Sequence, residues 1–144
     1  MKILVLNGPN LNMLGKREEK YYGTKTLSDI NTMLENMATE YNCELVFFQS
    51  NHEGALIDFI HTHANDANGI MINPGALTHY GYSLRDALAD TKLPIVEIHL
   101  SDITKREPFR KIDVLDGIVI DRVMGLKEKN YEVGLKKLIE HIKK

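Results

Sequence analysis

The chain has one cysteine, Cys43, in 144 residues. That excludes an internal disulfide and any all-cysteine metal site. Cys43 sits in a strand-like run, where a buried, inert thiol is expected. An excess of charge is missing too: 18 Lys and Arg against 20 Asp and Glu leave a net charge of -2. The chain as a whole therefore exerts no pull on nucleic acid or an anionic membrane. Any anion site has to be assembled locally from Arg, Lys and backbone N–H groups. No run approaches the ~18 apolar residues of a membrane span. Met1-Lys2-Ile3 leads straight into a strand pattern, and a cytoplasmic protein is the expectation. Several signatures are absent as well. There is no G-x-x-x-x-G-K-[ST] loop and no G-x-G-x-x-G, so nothing supports a nucleotide. There is no G-x-S-x-G elbow. A receiver-type phospho-aspartate needs acids after the first and third strands, where Asn7 and Asn73 stand. No repeat, low-complexity tract or linker interrupts residues 1–144, so a single domain with a real core is expected.

What is present is an alternation of strand and helix signals. Ile3–Leu6 reads as a first, buried strand. Thr26-Leu27-Ser28-Asp29 has the form of a capping box. It opens a helix with Leu27, Ile30, Leu34, Met37, Ala38 and Tyr41 on one stripe, which Asn42 can close. Glu44–Phe48 is a second strand. Ser50-Asn51-His52-Glu53 repeats the capping-box form before a helix with Leu56, Phe59, Ile60, His63 and Ala67 inward. Asn68-Gly69 breaks it, and Ile70–Ile72 is a third strand. A helix from about Ser83 to Asp90 carries Leu84, Ala87 and Leu88. Pro94 introduces Ile95–Ile98 as strand four, and Gly117–Ile120 reads as strand five. Asn130 to Lys144 is a closing helix, with Leu135, Leu138, Ile139 and Ile142 inward and lysines in its last turn. Such an order predicts a parallel sheet covered on both faces, a three-layer α/β/α fold. The economical topology is the doubly wound, flavodoxin-like one, in which ligands bind outside the carboxyl ends of the strands.

The loops at those ends carry the functional signal. After strand one comes Asn7-Gly8-Pro9-Asn10, after strand two Gln49-Ser50-Asn51-His52-Glu53, and after strand three Asn73 through His79. Strand four contains Glu97 and runs on to His99-Leu100-Ser101. Four loops rich in amides, hydroxyls and imidazoles suggest a site for a polar, hydroxylated small molecule. The first loop is also long, at about twenty residues where a few would connect the elements. It keeps Leu11, Met13, Leu14, Tyr21 and Tyr22, which a disordered segment would avoid, so it reads as a binding loop or lid. His79 is a candidate general acid or base near neutral pH. Metal ligation through His79, Glu97 and His99 is one possibility. The preferred reading is metal-free: Glu97 and His99 are same-side neighbours at spacing two, which suits a carboxylate orienting an imidazole. His52, His61, His63 and His141 fall on helix starts or faces and read as structural or solvated. Tyr21 and Tyr22 are packing residues by default, yet cations close to a tyrosine favour its phenolate. Arg17 is near in sequence, and Lys105, Arg106 and Arg110 follow strand four. A closing lid would bring them together.

Five blocks in register resemble type II 3-dehydroquinate dehydratase: Leu6-Asn7-Gly8-Pro9-Asn10-Leu11, Gln49 through Gly54, Asn73-Pro74-Gly75-Ala76 with Thr78-His79, Leu84-Arg85-Asp86-Ala87, and Glu97-Ile98-His99-Leu100-Ser101 through Arg106 to Arg110. The family is flavodoxin-like, needs no cofactor, belongs to the shikimate pathway and is commonly a dodecamer built from trimers. The resemblance implies that Tyr22, before Gly23, takes a proton from C2 of 3-dehydroquinate, with Arg17 and Arg106 as neighbouring cations. It implies that Asn10 positions a water at the enolate oxygen, and that His79, oriented by Glu97, protonates the departing C1 hydroxyl. Asn73 and the backbone N–H groups of Leu100 and Ser101 would hold the substrate carboxylate. His99 and Arg110 would bind ring hydroxyls, and Asp86 would reach a neighbouring subunit's site. The implied course is a stepwise anti elimination through an enolate. The chain departs from the family pattern at Leu77, at Tyr80-Gly81-Tyr82, over Lys111–Asp116, and in the more charged Val123–Tyr131. A non-catalytic binding module and a flavodoxin-like electron carrier are the rival expectations.

Overall fold

A computed structural model describes all residues, Met1–Lys144. Five parallel strands lie in the order β2-β1-β3-β4-β5: β1 (Lys2–Asn7), β2 (Glu44–Gln49), β3 (Gly69–Asn73), β4 (Ile95–Ile98) and β5 (Asp121–Val123). This is the flavodoxin-like order expected from the sequence. The apolar runs are continuous because successive side chains serve opposite cores. Ile3 and Val5 of β1 pack with Ile30, Leu34 and Ala38 of α2 (Leu27–Glu40) and with Leu135, Leu138 and Ile139 of α5 (Lys129–Lys143). Leu4 and Leu6 face the other way, onto Leu56 and Ile60 of α3 (Glu53–His63) and Leu84 and Leu88 of α4 (Tyr82–Thr91). The remaining helix, α1 (Glu19–Tyr22), is a single turn in the first long loop.

The first capping box forms as read. Thr26 Oγ1 accepts from the Asp29 N–H at 3.1 Å, and Asp29 Oδ2 accepts from the Thr26 N–H at 3.0 Å. Asn42 closes α2 in the left-handed region, with φ 53°, a conformation asparagine tolerates. The second box does not form. Ser50 Oγ accepts from His52 N–H, and Glu53 Oε2 reaches across to accept from Leu84 N–H at 3.0 Å. Gly81 precedes α4 and has no side chain to cap it, so Glu53 of α3 does so from outside. Ala67 is buried but lies beyond α3, not on its stripe.

Strand five is shifted. Gly117–Ile120 leads out of a turn to an exposed Ile120, and the paired residues are Asp121–Val123. The polar pair Asp121-Arg122 hid this edge strand, because both side chains are engaged in ion pairs rather than in a core. Cys43 is half-buried rather than enclosed, and burial pushes its thiol up.

Candidate active site

Each loop of the site starts where a strand ends. Asn7 and Asn73 are partners across β1 and β3, and their side chains are bridged by Tyr131 of α5. The Tyr131 hydroxyl donates to Asn7 Oδ1 at 2.6 Å and accepts from Asn73 Nδ2 at 3.0 Å. The Asn73 carbonyl accepts from Gly8 N–H at 2.8 Å, and its Oδ1 accepts from Gly75 N–H at 3.1 Å. The two loops are so close that a Cβ on Gly8 would stand 2.3 Å from the Pro74 carbonyl oxygen. Only glycine allows that approach. Asn10 takes a left-handed conformation, φ 70°, and its N–H donates to Asn51 Oδ1 at 3.0 Å. Gln49 Nε2 donates to the Gly8 carbonyl at 3.2 Å. The amide-rich ends of β1, β2 and β3 thus brace one another into a fixed wall.

The lid carries cations and tyrosines. Its helical turn α1 ends at Gly23, φ 74°. The Arg17 guanidinium lies 3.7 Å from the centre of the Tyr22 ring, and burial depresses its proton affinity even beside that hydroxyl. Arg106 Nη1 donates to the Tyr22 hydroxyl at 2.9 Å and to Ser101 Oγ at 3.3 Å. Tyr21 has a use that the sequence did not reveal: its ring is a platform for the same guanidinium, 3.9 Å away.

A pocket of about 120 Å³ lies between wall and lid. Nine of the twelve expected site residues line it. Asn10 comes from the wall, Arg17 and Tyr22 from the lid, and His79 from the loop after β3. His99, Leu100, Ser101, Arg106 and Arg110 come from the segment after β4. No hydrogen bond within the chain uses the backbone N–H of Leu100 or of Ser101, so both are free for a ligand anion. The other three residues stand elsewhere. Asn73 lies behind the wall with its side chain committed to Tyr131 and Gly75. Glu97 is fully buried beneath the pocket, and Asp86 is exposed on α4. A larger groove of about 450 Å³, between Lys25, Asp29, Met33 and Glu128, is remote from the strand ends and gathers no such chemistry.

One expected pairing is corrected. Glu97 does not hold His79. Its Oε1 accepts from His99 Nε2 at 2.7 Å and from the Thr78 hydroxyl, and its Oε2 accepts from Arg122 Nε at 3.1 Å. Burial alone would push the Glu97 carboxyl up; the hydrogen bonds from His99, Asp113 and Thr78 overcome this and hold it at about 2. His79 is held by the Ile112 carbonyl, which accepts from Nδ1 at 2.7 Å. A carbonyl only accepts, so Nδ1 carries the proton and Nε2 of the neutral ring is an acceptor. Burial, His99 and Arg110 keep His79 below its ordinary value, hence neutral at pH 7.

Donor atoms that converge as a metal site would require belong to Glu97, His99 and Asp113, without His79. The Arg122 guanidinium already lies against both carboxylates, with Nε 2.6 Å from Asp113 Oδ2. A divalent ion would have to displace it. Sequence reasoning missed Asp113, Arg122 and Tyr131. Asp113 and Arg122 offered no short-range signal, since they meet Glu97 only through the fold. Tyr131 did carry one, standing four residues before Leu135 on the inward stripe of α5.

Fold and site together define an α/β enzyme of the doubly wound kind, built for a small anionic, hydroxylated substrate at the strand ends. The chain belongs to the class II dehydroquinase family, whose profile matches residues 1–139. It is 52% identical to the 3-dehydroquinate dehydratase of Roseiflexus castenholzii over 139 residues, 96% of this chain and 88% of that one. It is 48% identical to the 3-dehydroquinate dehydratase of Halothermothrix orenii over 143 residues, 99% of this chain and 97% of that one. The crystal structure of type II dehydroquinase from Butyrivibrio crossotus superposes with a TM-score of 0.92 at 42% identity, covering 96% and 97% of the two chains.

Proposed function

We propose that this chain is a hydro-lyase that converts 3-dehydroquinate to 3-dehydroshikimate by a metal-free anti elimination of water. The observation that carries the reading is the Tyr22 hydroxyl, bound by Arg106 beneath Arg17, in one pocket with the Glu97-braced His99. Arg17 on its ring and Arg106 on its hydroxyl place Tyr22 beside the pocket's cations, and we assign it as the base for the C2 proton. The enolate that results is met by a water on Asn10. The free N–H groups of Leu100 and Ser101 bind the carboxylate, with Asn73 behind them shaping the wall. Arg110 binds a ring hydroxyl.

The acid role moves from His79 to His99. His99 Nε2 is committed to Glu97, so the opposite ring nitrogen is the one left to deliver a proton to the leaving C1 hydroxyl. His79, neutral with Nε2 as acceptor, is suited to receive a hydrogen bond from a ring hydroxyl. The C2 proton ends on Tyr22, the C1 oxygen leaves as water with the proton from His99, and both groups return to their starting states through solvent.

By this reading the enzyme serves the shikimate pathway, towards aromatic amino acids, with the cytoplasm as its proposed location. No helix of the chain is long and apolar enough to cross a membrane. One catalytic domain over residues 1–144 fits the single sheet with a core on each face. A homododecamer, a tetramer of trimers, fits the rim near the site. Tyr80, Tyr82, Phe109 and Ile112 are each more than half exposed there, and Asp86 is exposed on the same helix as Tyr82. A neighbouring subunit would cover them and bring its own Asp86. Sedimentation tests this: a stable 16.4 kDa monomer overturns it.

The activity test is the ultraviolet absorbance of 3-dehydroshikimate formed by wild type and by Tyr22→Phe. Wild type is active and the variant is not. A folded, inactive wild type would return the chain to the non-catalytic module.

A further inference from the structure

Behind the Glu97–His99 pair lies a buried charge cluster that the reaction, as described, does not use. Its members come from three separate segments. Asp113 stands in the turn after the loop that bears Arg110, and Arg122 is the middle residue of β5. Thr78 precedes His79. Asp113 Oδ1 accepts from Leu115 N–H at 2.8 Å and lies 3.1 Å from the Thr78 hydroxyl. Arg122 Nε lies 2.6 Å from Asp113 Oδ2 and 3.1 Å from Glu97 Oε2, while Nη2 donates to Asp116. The Asp113 side chain is only 2% exposed and that of Glu97 not at all. Two carboxyl groups in contact, both out of water, cannot both carry full charge cheaply beside one guanidinium.

We propose that Asp113 and Arg122 are positioning residues that balance the charge behind Glu97 and thereby govern how firmly His99 holds its proton. The proposal deepens the dehydratase reading and rests on it only for the kinetic part of its test. Arg122 neutralises one carboxylate. With Asp113 protonated, Glu97 and Arg122 cancel, and His99 faces a neutral pair. With Asp113 ionised, a second negative charge appears within 4.8 Å of the His99 ring, and a proton on that ring restores neutrality. Burial and the neighbouring Glu97 carboxylate push the Asp113 carboxyl up to about 7, so this exchange falls in the working range of pH. The other groups facing the cluster are few. They are exposed Asp116 on Arg122, and His79 with Arg110 on the pocket side. Asp121, next to Arg122, is taken by Lys137 of α5.

The cluster also has a mechanical side. Val114 N–H donates to the Thr78 carbonyl at 2.7 Å, one residue beyond Asp113, while the Ile112 carbonyl on its other side holds His79. Asp113 therefore anchors the short segment that orients one imidazole while setting the charge beside the other.

The decisive variant is Asp113→Asn, which keeps the shape and the Oδ1 acceptor for Leu115 N–H and removes the ionisation. The alkaline limb of its kcat–pH profile moves to lower pH by about one unit, roughly tenfold in kcat on that limb, because the second negative charge is gone. KM moves less. In the substrate-free protein, nitrogen NMR of the His99 ring shows a changed pH dependence in the same variant. Arg122→Gln leaves two carboxyl groups without their cation and lowers kcat roughly ten- to hundred-fold. The double variant Asp113→Asn with Arg122→Gln recovers part of that loss, a coupling that independent structural effects do not produce. Superimposable pH profiles for wild type and Asp113→Asn, with an unchanged His99 titration, overturn the proposal, even if Arg122→Gln fails to fold. An inactive wild type defeats the dehydratase reading instead, and the NMR titration still decides this one.

Discussion

The two ends of the pocket are built from opposite charges. At the lid, the Tyr22 hydroxyl sits between two guanidiniums, partly exposed and on segments outside the sheet. At the floor, His99 rests on a carboxylate at the end of β4, almost wholly out of water. The proposed reaction takes up a proton at the cationic end and gives one away at the carboxylate end. The field across the pocket thus has the direction the elimination needs. The contrast extends to rigidity. The floor and wall are tied by buried hydrogen bonds through Tyr131, Thr78 and Arg122, whereas the lid is a four-residue helix closed by two arginine contacts.

The sharpest way to break the comparison is at the lid. Tyr22→Phe removes only one hydroxyl, which takes part in a single hydrogen bond, so the fold and Tm should stand, while turnover falls by about 10³ or more. Progress curves with excess enzyme measure this, and near-normal rates would remove Tyr22 as base.

The next test separates the two imidazoles. His99→Asn should lower kcat by roughly 10²–10⁴, with a smaller change in KM. His79→Asn should act mainly through KM, because an acceptor for a ring hydroxyl is lost while the proton donor remains. Steady-state kinetics on both variants decide the matter. If His79→Asn takes the kcat loss and His99→Asn does not, the roles revert and the Glu97 contact is structural.

The floor also predicts how stability follows pH, with two carboxyl groups working in opposite senses. Glu97 is held below its ordinary 4.5, at about 2. Its contribution is present above about pH 4.5 and lost as pH falls towards 2, because the unfolded chain binds the proton first. Asp113 is raised from 3.8 to about 7. Its protonated form favours the fold below about pH 4, and that contribution is lost as pH rises through 7. Denaturant melts should therefore show Asp113→Asn gaining on wild type above pH 7, while Glu97→Gln flattens the loss below 4.5. Parallel pH–stability curves for all three proteins would mean that the two carboxyl groups do not share the cluster.

The lid and the floor also differ in how they were written into the chain. Arg17, Tyr21 and Tyr22 announce themselves within five positions, as charge and aromatics in a loop too long for a connector. Glu97 and His99 were legible as a pair because spacing two on a strand puts both on one side. Asp113 and Arg122 were not, since eight residues that include a turn separate them and nothing local links either to Glu97. The same distance effect misplaced β5: a polar edge strand held by ion pairs has no apolar run to mark it. It also misassigned Glu53, which looked like a cap for its own helix and turned out to cap its neighbour's. Local chemistry is readable from local sequence, and partners brought together by β-strand order are not.

The smallest effect expected is at Thr26, and it serves as the control for all the others. Thr26 and Asp29 close the start of α2 by two reciprocal hydrogen bonds, on the face of the sheet shared with α5 and outside the pocket. Thr26→Ala removes one acceptor from an exposed N-terminus and should cost about 1 kcal/mol of stability. Because α2 stays packed on the sheet through Ile30, Leu34 and Ala38, and neither Thr26 nor α2 lines the pocket, the strand ends should not move, and kcat and KM should stay at wild-type values. Chemical denaturation with parallel kinetics measures both. A kinetic change as large as that from the floor variants would show that the pocket responds to general loss of stability, and the charge contrast between lid and floor would then lose its claim to explain their kinetics.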